Sequence, residues 1–334
     1  MYYSTIKEKN CINAIFDFDG VLGDFMIKVA VCGYGNLGKA VEKKAIDRGF
    51  DIKGIISNRE GLVSPYKTPF YHFSQREKLK GKVDVVINCG SSHKDIPQNR
   101  ELLLRDFNTV DSFDTHAKIQ EHLSLCQKRG EESNTLAIIS VGWDPGLLSI
   151  FRLYSKAIMQ KGIINTFWGK GVSRGHTAVI KGIRGVEDAI QYTVPKKNAI
   201  ALAKEGVMLK DEQRHNRVCY VVAKEEHKRI EEEIKNTPFY FKGYDTTVNF
   251  ISREEFEQNH ANSYHGGEVI CCNGDILDFS LKIQDNSLFT ADILLSYANA
   301  CKKLYEQGSR GALTPFAVPP SFLVENIEDI YTLL

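Results

Sequence analysis

A clear rhythm of apolar and polar positions begins at Met26. IKVAVC at 27–32 reads as a short buried strand, and Gly33-Tyr34-Gly35-Asn36-Leu37-Gly38 follows it. Residues 39–48 place Ala40, Val41, Ala45 and Ile46 on one helical face. DIKGIIS at 51–57 is a second strand and VDVVINC at 83–89 a third. The spacing predicts a helix over 96–105, with Asp95 as its N-cap. TVD at 109–111 and LAIIS at 136–140 are two further strands. Strands alternating with helices predict a parallel, doubly wound α/β sheet of Rossmann-like type.

The texture changes after about residue 145. Strands over 218–223 and 246–250 predict a second sheet, and the charged run 225–235 between them reads as a solvated helix. A long helix over 289–307 has the length to return the chain to the first unit. There is no internal repeat and no low-complexity linker. A chain of 334 residues exceeds one average domain, so two are expected.

With 43% hydrophobic and 25% charged residues, the chain can bury a core without disulfide staples. Its 43 basic and 42 acidic residues leave no field to hold a nucleic-acid backbone or an anionic membrane. A small anionic substrate needs only two or three local cations and stays open. Eight cysteines without CxxC spacing, two of them the adjacent Cys271 and Cys272, read as reduced thiols of a cytoplasmic protein. No run approaches a membrane span, and the first 25 residues lack the order of a secretory signal. His72, His93, His116 and His122 form no ligand-spaced cluster with cysteines, so no metal site is predicted. No GxSxG elbow points to a serine hydrolase.

The GxGxxG string carries weight because it follows a strand and opens a helix. Gly33 permits the tight turn, Gly35 lets the backbone approach a pyrophosphate, and Gly38 lets helix and strand pack closely. The helix N-terminus stabilises the phosphate charge. At the end of the second strand an NAD site usually has Asp or Glu, whereas this chain reads Ser57-Asn58-Arg59. A hydroxyl, an amide and a guanidinium suit a 2′-phosphate, so NADP is the expected cofactor. Ahead of all this, IFDFDGV at 15–21 resembles the first motif of haloacid-dehalogenase-type phosphatases through Asp17 and Asp19. That chemistry needs a further Lys and further carboxylates on its own fold, so residues 1–25 read as an extension without function.

Several further strings stand in order: CGSS at 89–92, DSFDTH at 111–116, VGWDPG at 141–146, FWGKG at 167–171 and SRGH at 173–176. QYTVP at 191–195, NFI at 249–251, HGG at 265–267 and DNSLFTA at 285–291 complete them. Together with GYGNLG they resemble the meso-diaminopimelate dehydrogenase family from Met26 to near the C-terminus. The resemblance implies NADP-dependent oxidative deamination of the D-centre of meso-2,6-diaminopimelate. The product, L-2-amino-6-oxopimelate, cyclises to tetrahydrodipicolinate. It implies an NADP-binding domain over 26–145, an α+β substrate-binding and dimerisation domain over 146–285, and a segment 286–334 returning to the first. A homodimer is implied as well.

On the cofactor side the resemblance implies contacts from Gly33, Tyr34, Gly35, Asn36, Leu37 and Gly38, and from Ser57, Asn58 and Arg59. Others are implied from Cys89, Gly90, Ser91 and Ser92, then from Ser112, Phe113 and Asp114. Asp144, Pro145, Gly146, Leu147 and Leu148 close the set. Asp114 and Asp144 are the implied catalytic acids at the reacting end, each just past a predicted strand. Trp168 lines that end, with its ring N–H available to the substrate carboxylate. Gly175 offers a backbone contact, and Arg174 stands where the family often has Gln. Thr193, Arg217, His265 and Asn286 are implied to hold the far, L-configured end. Alternatives are a broader D-amino-acid dehydrogenase made permissive by Arg174, a non-catalytic NADPH sensor, and a phosphatase fusion through Asp17 and Asp19.

Overall fold

The computed structural model describes residues 26–260, 265–325, 330, 332 and 333. The extension with Asp17 and Asp19 lies outside them. The opening strand is β1 (Lys28–Cys32), and α1 (Asn36–Asp47) starts inside the glycine motif rather than after it. β2 (Asp51–Ser57) has its predicted bounds, and a short strand not foreseen, β3 (Phe70–His72), lies beside it. β4 (Val85–Asn88) leads to α2 (Asp95–Asp106). Asp95 is not the cap but the first helical residue, and its Oδ2 accepts the Ser91 N–H at 3.0 Å and the Ser91 hydroxyl at 2.7 Å. β5 (Asn108–Asp111), α3 (Ile119–Ser133) and β6 (Leu136–Ile138) follow.

The middle of the chain runs through α4 (Leu147–Ile158), β7 (Ile163–Trp168), β8 (Gly171–Val172), α5 (Arg174–Lys181) and β9 (Asp188–Pro195). Next come α6 (Lys197–Lys204), α7 (Asp211–Arg214), β10 (His215–Val222), α8 (His227–Asn236) and β11 (Asp245–Phe250). α9 (Arg253–Asn259), β12 (His265–Cys272) and β13 (Ile276–Ile283) precede the long α10 (Asn286–Glu306), and β14 (Gly311–Leu313) is the last strand among the described residues. The charged helix α8 is solvated on one face only, because Ile230 and Ile234, one turn apart, are fully buried.

Seven strands pair in parallel in the order β14-β6-β5-β4-β1-β2-β3. Each central strand is buried on both sides, which is why it reads as a continuous apolar run. Val29, Val31, Ile55 and Ile87 face one layer, where Val41 and Ala45 of α1 meet Leu294, Leu295 and Ala298 of α10. Ala30, Cys32, Ile56 and Val86 face the other, against Leu103 and Phe107. The long helix α10 thus packs into the core of the first sheet. Truncating Leu294 there would cost about 2–5 kcal/mol. The strand order reverses between β1 and β4, and a cleft opens at the carboxyl ends of strands at such a point. Two smaller sheets, β11-β10-β9-β8 and β13-β12-β7, lie in the middle of the chain. They are joined where Trp168 N–H, at the end of β7, donates to Nε2 of His215 in β10 at 2.9 Å.

Candidate functional site

A cleft of 1040 Å³ opens at the carboxyl ends of β1, β2, β4 and β5. Gly33 leaves β1 with φ +90, a conformation that favours glycine. A Cβ on Gly38 would lie 2.0 Å from the Gly33 carbonyl oxygen, so only glycine lets α1 approach β1 this closely. A Cβ on Gly35 would meet nothing within 4 Å. Gly35 caps α1 without a side-chain hydrogen bond, so the first amides of the helix stay open to an anion. Ser57 Oγ accepts the Arg59 N–H at 3.0 Å, and Arg59 Nη2 donates to the Tyr34 carbonyl at 2.5 Å, which bends the guanidinium over the glycine turn. Among the described residues, those that line the cleft at the end of β2 are Ile56, Ser57, Asn58 and Arg59, none of them a carboxylate. These features fit a dinucleotide carrying a 2′-phosphate.

Of the expected cofactor residues, 33–37, 57–59 and 89–92 line the cleft, with Ser112, Asp114, Asp144 and Pro145. Gly38, Phe113, Gly146, Leu147 and Leu148 do not. Gly38 is turned to β1. Phe113 is turned inward, stacked on His122 at 4.2 Å between centroids. Gly146 caps α4, its N–H donating to Ser149 Oγ at 3.2 Å, and Leu148 is fully buried behind it.

The two acids differ in surroundings. Asp114 is exposed on the loop after β5, with its backbone N–H donating to Ser92 Oγ at 2.9 Å. Among the described residues its carboxylate makes no ion pair. The Asp144 carboxylate is buried and held on both oxygens: Arg152 Nη2 donates to Oδ1 at 2.5 Å and Trp168 Nε1 to Oδ2 at 2.6 Å. The indole N–H expected to meet a substrate carboxylate is therefore bonded to Asp144. Trp143 Nε1 donates to Asn286 Oδ1 at 2.7 Å, and Asn286 and Gly175 both line the cleft. Arg174 is the first residue of α5.

Trp168, Thr193, Arg217 and His265 lie outside the lining of that cleft. Trp168 reaches it through Asp144, and His265 lies edge-on to Trp143, with 6.5 Å between ring centroids. Thr193 and Arg217 are directly opposed on β9 and β10, and Arg217 Nη1 donates to Thr193 Oγ1 at 2.6 Å. The guanidinium carbon sits 4.2 Å from the Tyr244 ring centroid. Arg217 is 8% exposed, Nε has no partner, and no carboxylate pairs with it among the described residues. Burial pulls its pKa down, opposed by Tyr244. Burial, then Arg217, pushes His176 down to about 4, and burial with Arg217, Arg214 and Lys196 pushes His215 down to about 3. Near pH 7 neither histidine then adds a positive charge beside Arg217.

Sequence reasoning missed Arg152 and His215. Each had a signal: Arg152 lies on the first turns of the helix after Asp144, and His215 is two residues before Arg217, on the same strand face. The reading of His122 as unclustered is corrected. Cys126 lies one turn along α3 and Asp111 at the end of β5, and the ligand atoms of the three lie within 4.8 Å of one another.

A family model described as the diaminopimelic acid dehydrogenase C-terminal domain matches residues 142–284. The chain is 40% identical over 307 residues to a meso-diaminopimelate D-dehydrogenase of Ureibacillus thermosphaericus, covering 88% of this chain and 94% of that one. A solved structure of a Corynebacterium glutamicum DAP dehydrogenase in complex with DAP is similar with a TM-score of 0.84 and 37% identity, over 92% of this chain and 98% of that one. An engineered D-amino acid dehydrogenase bound to NADP+ is similar with a TM-score of 0.79 and 36% identity, over 92% of this chain and 99% of that one. The identity to curated relatives across nearly their whole length places this chain in the meso-diaminopimelate dehydrogenase family.

Proposed function

We propose that the chain catalyses reversible, NADP-dependent oxidative deamination of the D-centre of meso-2,6-diaminopimelate. It yields ammonia and L-2-amino-6-oxopimelate, which cyclises to tetrahydrodipicolinate, in lysine biosynthesis. Arg217 carries the reading. A buried charge without a counter-ion is costly, and the far carboxylate of a diamino diacid supplies one. Thr193 and the Tyr244 ring leave the Arg217 Nε edge unpartnered for a bidentate grip.

The glycine turn, the open amides of α1 and Ser57-Asn58-Arg59 would hold the cofactor. When bound, NADP supplies the hydride acceptor. A protonated amine cannot expel hydride, so the ammonium must first lose a proton. Asp114, unpaired at the cleft wall, accepts it. Asp144, anchored by Arg152 and Trp168, orients the ammonium through its charge. His265 and Asn286 complete the grip on the far end, and Gly175 gives the reacting end a backbone contact. Residues 26–145 with 286–334 serve the cofactor, and 146–285 the substrate.

The protein acts as a homodimer in the cytoplasm. Leu153, Tyr154 and Ile158 on α4 and Ile276 and Leu277 on the edge strand β13 are exposed, and Phe151 stacks on Phe279 between the two elements. That apolar surface supports the dimer. Among the described residues no helix is long and apolar enough to cross a membrane, and seven cysteines are free. NADPH formation with meso-, LL- and DD-diaminopimelate, compared side by side, tests the activity. The meso form should turn over fastest and the LL form should not react. Equal rates with the LL form would contradict the assignment.

A further inference from the structure

The loops carrying Asp114 and Asp144 leave neighbouring strands, β5 and β6, and one buried side chain bonds to both. Asp111 is the last residue of β5 and is 4% exposed. Its Oδ1 accepts the backbone N–H of Phe113 at 3.0 Å, next to Asp114, and that of Ser140 at 3.0 Å, on the way to Asp144. Its Oδ2 accepts from His122 Nε2 at 2.8 Å. The His122 ring also stacks on Phe113, so one residue of the Asp114 loop is gripped by both backbone and ring. Ser140 has φ 58, a left-handed conformation rarely adopted outside glycine, and its bond to Asp111 helps hold it there.

We propose that Asp111 is a positioning residue that sets the separation of the two acids, and that His122 and Arg100 fix its orientation. The inference rests on reading Asp114 and Asp144 as the acids of the reacting end. Arg100 Nη1 lies 3.2 Å from His122 Nδ1, and a guanidinium only donates. His122 therefore offers its Nδ1 lone pair to Arg100 and its Nε2 proton to Asp111. Hydrogen bonds run one way, from Arg100 to His122 to Asp111, and the carboxylate also collects the two loop amides. A metal ion bound by Asp111, His122 and Cys126 would break the His122–Asp111 bond and face the Arg100 guanidinium.

The direction of these bonds makes a sharp test. Asparagine at 111 has one acceptor oxygen. If that oxygen serves the two loop amides, the NH2 group meets His122 Nε2, which must then accept. The imidazole proton moves to Nδ1 and points at Arg100, donor against donor. Arg100→Gln supplies an acceptor there and removes the conflict.

Asp111→Asn should lower kcat on diaminopimelate roughly ten- to hundredfold by misplacing the acids, while NADPH affinity stays within about twofold. Arg100→Gln added to Asp111→Asn should recover most of the kcat. An unchanged kcat in Asp111→Asn overturns the proposal. So does a joint fall of kcat, NADPH affinity and Tm that Arg100→Gln leaves unrepaired, because general destabilisation behaves that way. Amide hydrogen exchange at Phe113 and Ser140, followed with NADPH alone, should quicken in Asp111→Asn, and unaltered exchange also overturns the idea. That readout needs no substrate, so a wild-type protein inactive on diaminopimelate would refute the functional reading while leaving the clamp separately testable.

Discussion

The two sides of the site are built differently. The seven-stranded sheet presents uncommitted groups to the cleft: open amides at the start of α1, a glycine with empty space above it, and an exposed Asp114. The middle of the chain offers side chains already bonded to each other. Asp144 is tied to Arg152 and Trp168, Arg217 to Thr193, and Trp168 to His215. Losing a free group should cost only what that group itself does, so such losses should add. Losing one member of a network also strands its partners, so losses there should not add.

The largest effect expected is from Asp114→Asn, which removes the proposed acceptor of the ammonium proton. The turnover number should fall on the order of 10²–10⁴-fold, equally on diaminopimelate and on simple D-amino acids. Steady-state kinetics with both substrates check this. On the networked side, Asp144→Asn and Trp168→Phe should each cost about tenfold or more in kcat/KM, and the double variant little more than the worse single one. Additive losses would mean that the bond between them carries no function.

Arg59→Ala should raise the Michaelis constant for NADP roughly tenfold, the loss of about one charged hydrogen bond, and leave that for NAD little changed. Its effect should add to that of Trp168→Phe, since the two sides share no partner. Equal loss with both cofactors would sink the 2′-phosphate role.

The smallest effect is on stability. His215 and His176 are held neutral, at about 3 and about 4, whereas both take a proton near pH 6.5 in the unfolded chain. The unfolded state binds more protons below pH 6.5, so stability falls with pH through that window, by at most about 1.4 kcal/mol per pH unit for each histidine. The Tm measured from pH 7 to 5 should drop, and less so in His215→Gln, whose side-chain oxygen can accept the Trp168 N–H without taking a proton.

The same contrast decides what was legible in the sequence. The cofactor side works through backbone, glycine and short-range order, so GYGNLG and the end of β2 could be read from consecutive letters. The start of α1 was misplaced because the helix begins within the motif. The substrate side joins residues far apart, 144 with 168 and 193 with 217, and no local period announces such pairs. The resemblance named Arg217 and Trp168 but not His215, Arg152 or the Asp111 bonds. β7, β9, β12 and β13 escaped prediction, as did the short β3, β8 and β14. β12 opens with HGG, a poor strand signal, and β13 alternates along an exposed edge where little burial marks the pattern.

The central claim is that one end of the substrate is held and the other reacts, and Arg217→Ala tests it most directly. The quantity to measure is kcat/KM for meso-diaminopimelate divided by that for a D-amino acid without a second carboxylate. Losing a charged hydrogen-bonding partner costs about 1.5–3 kcal/mol or more, so efficiency on diaminopimelate should fall roughly ten- to over a hundredfold, while the simple D-amino acid is far less affected and the ratio collapses. Asp144→Asn, acting at the reacting end, should lower both values and keep the ratio. A ratio that Arg217→Ala leaves unchanged, or that both variants lower alike, would contradict the division into a holding end and a reacting end.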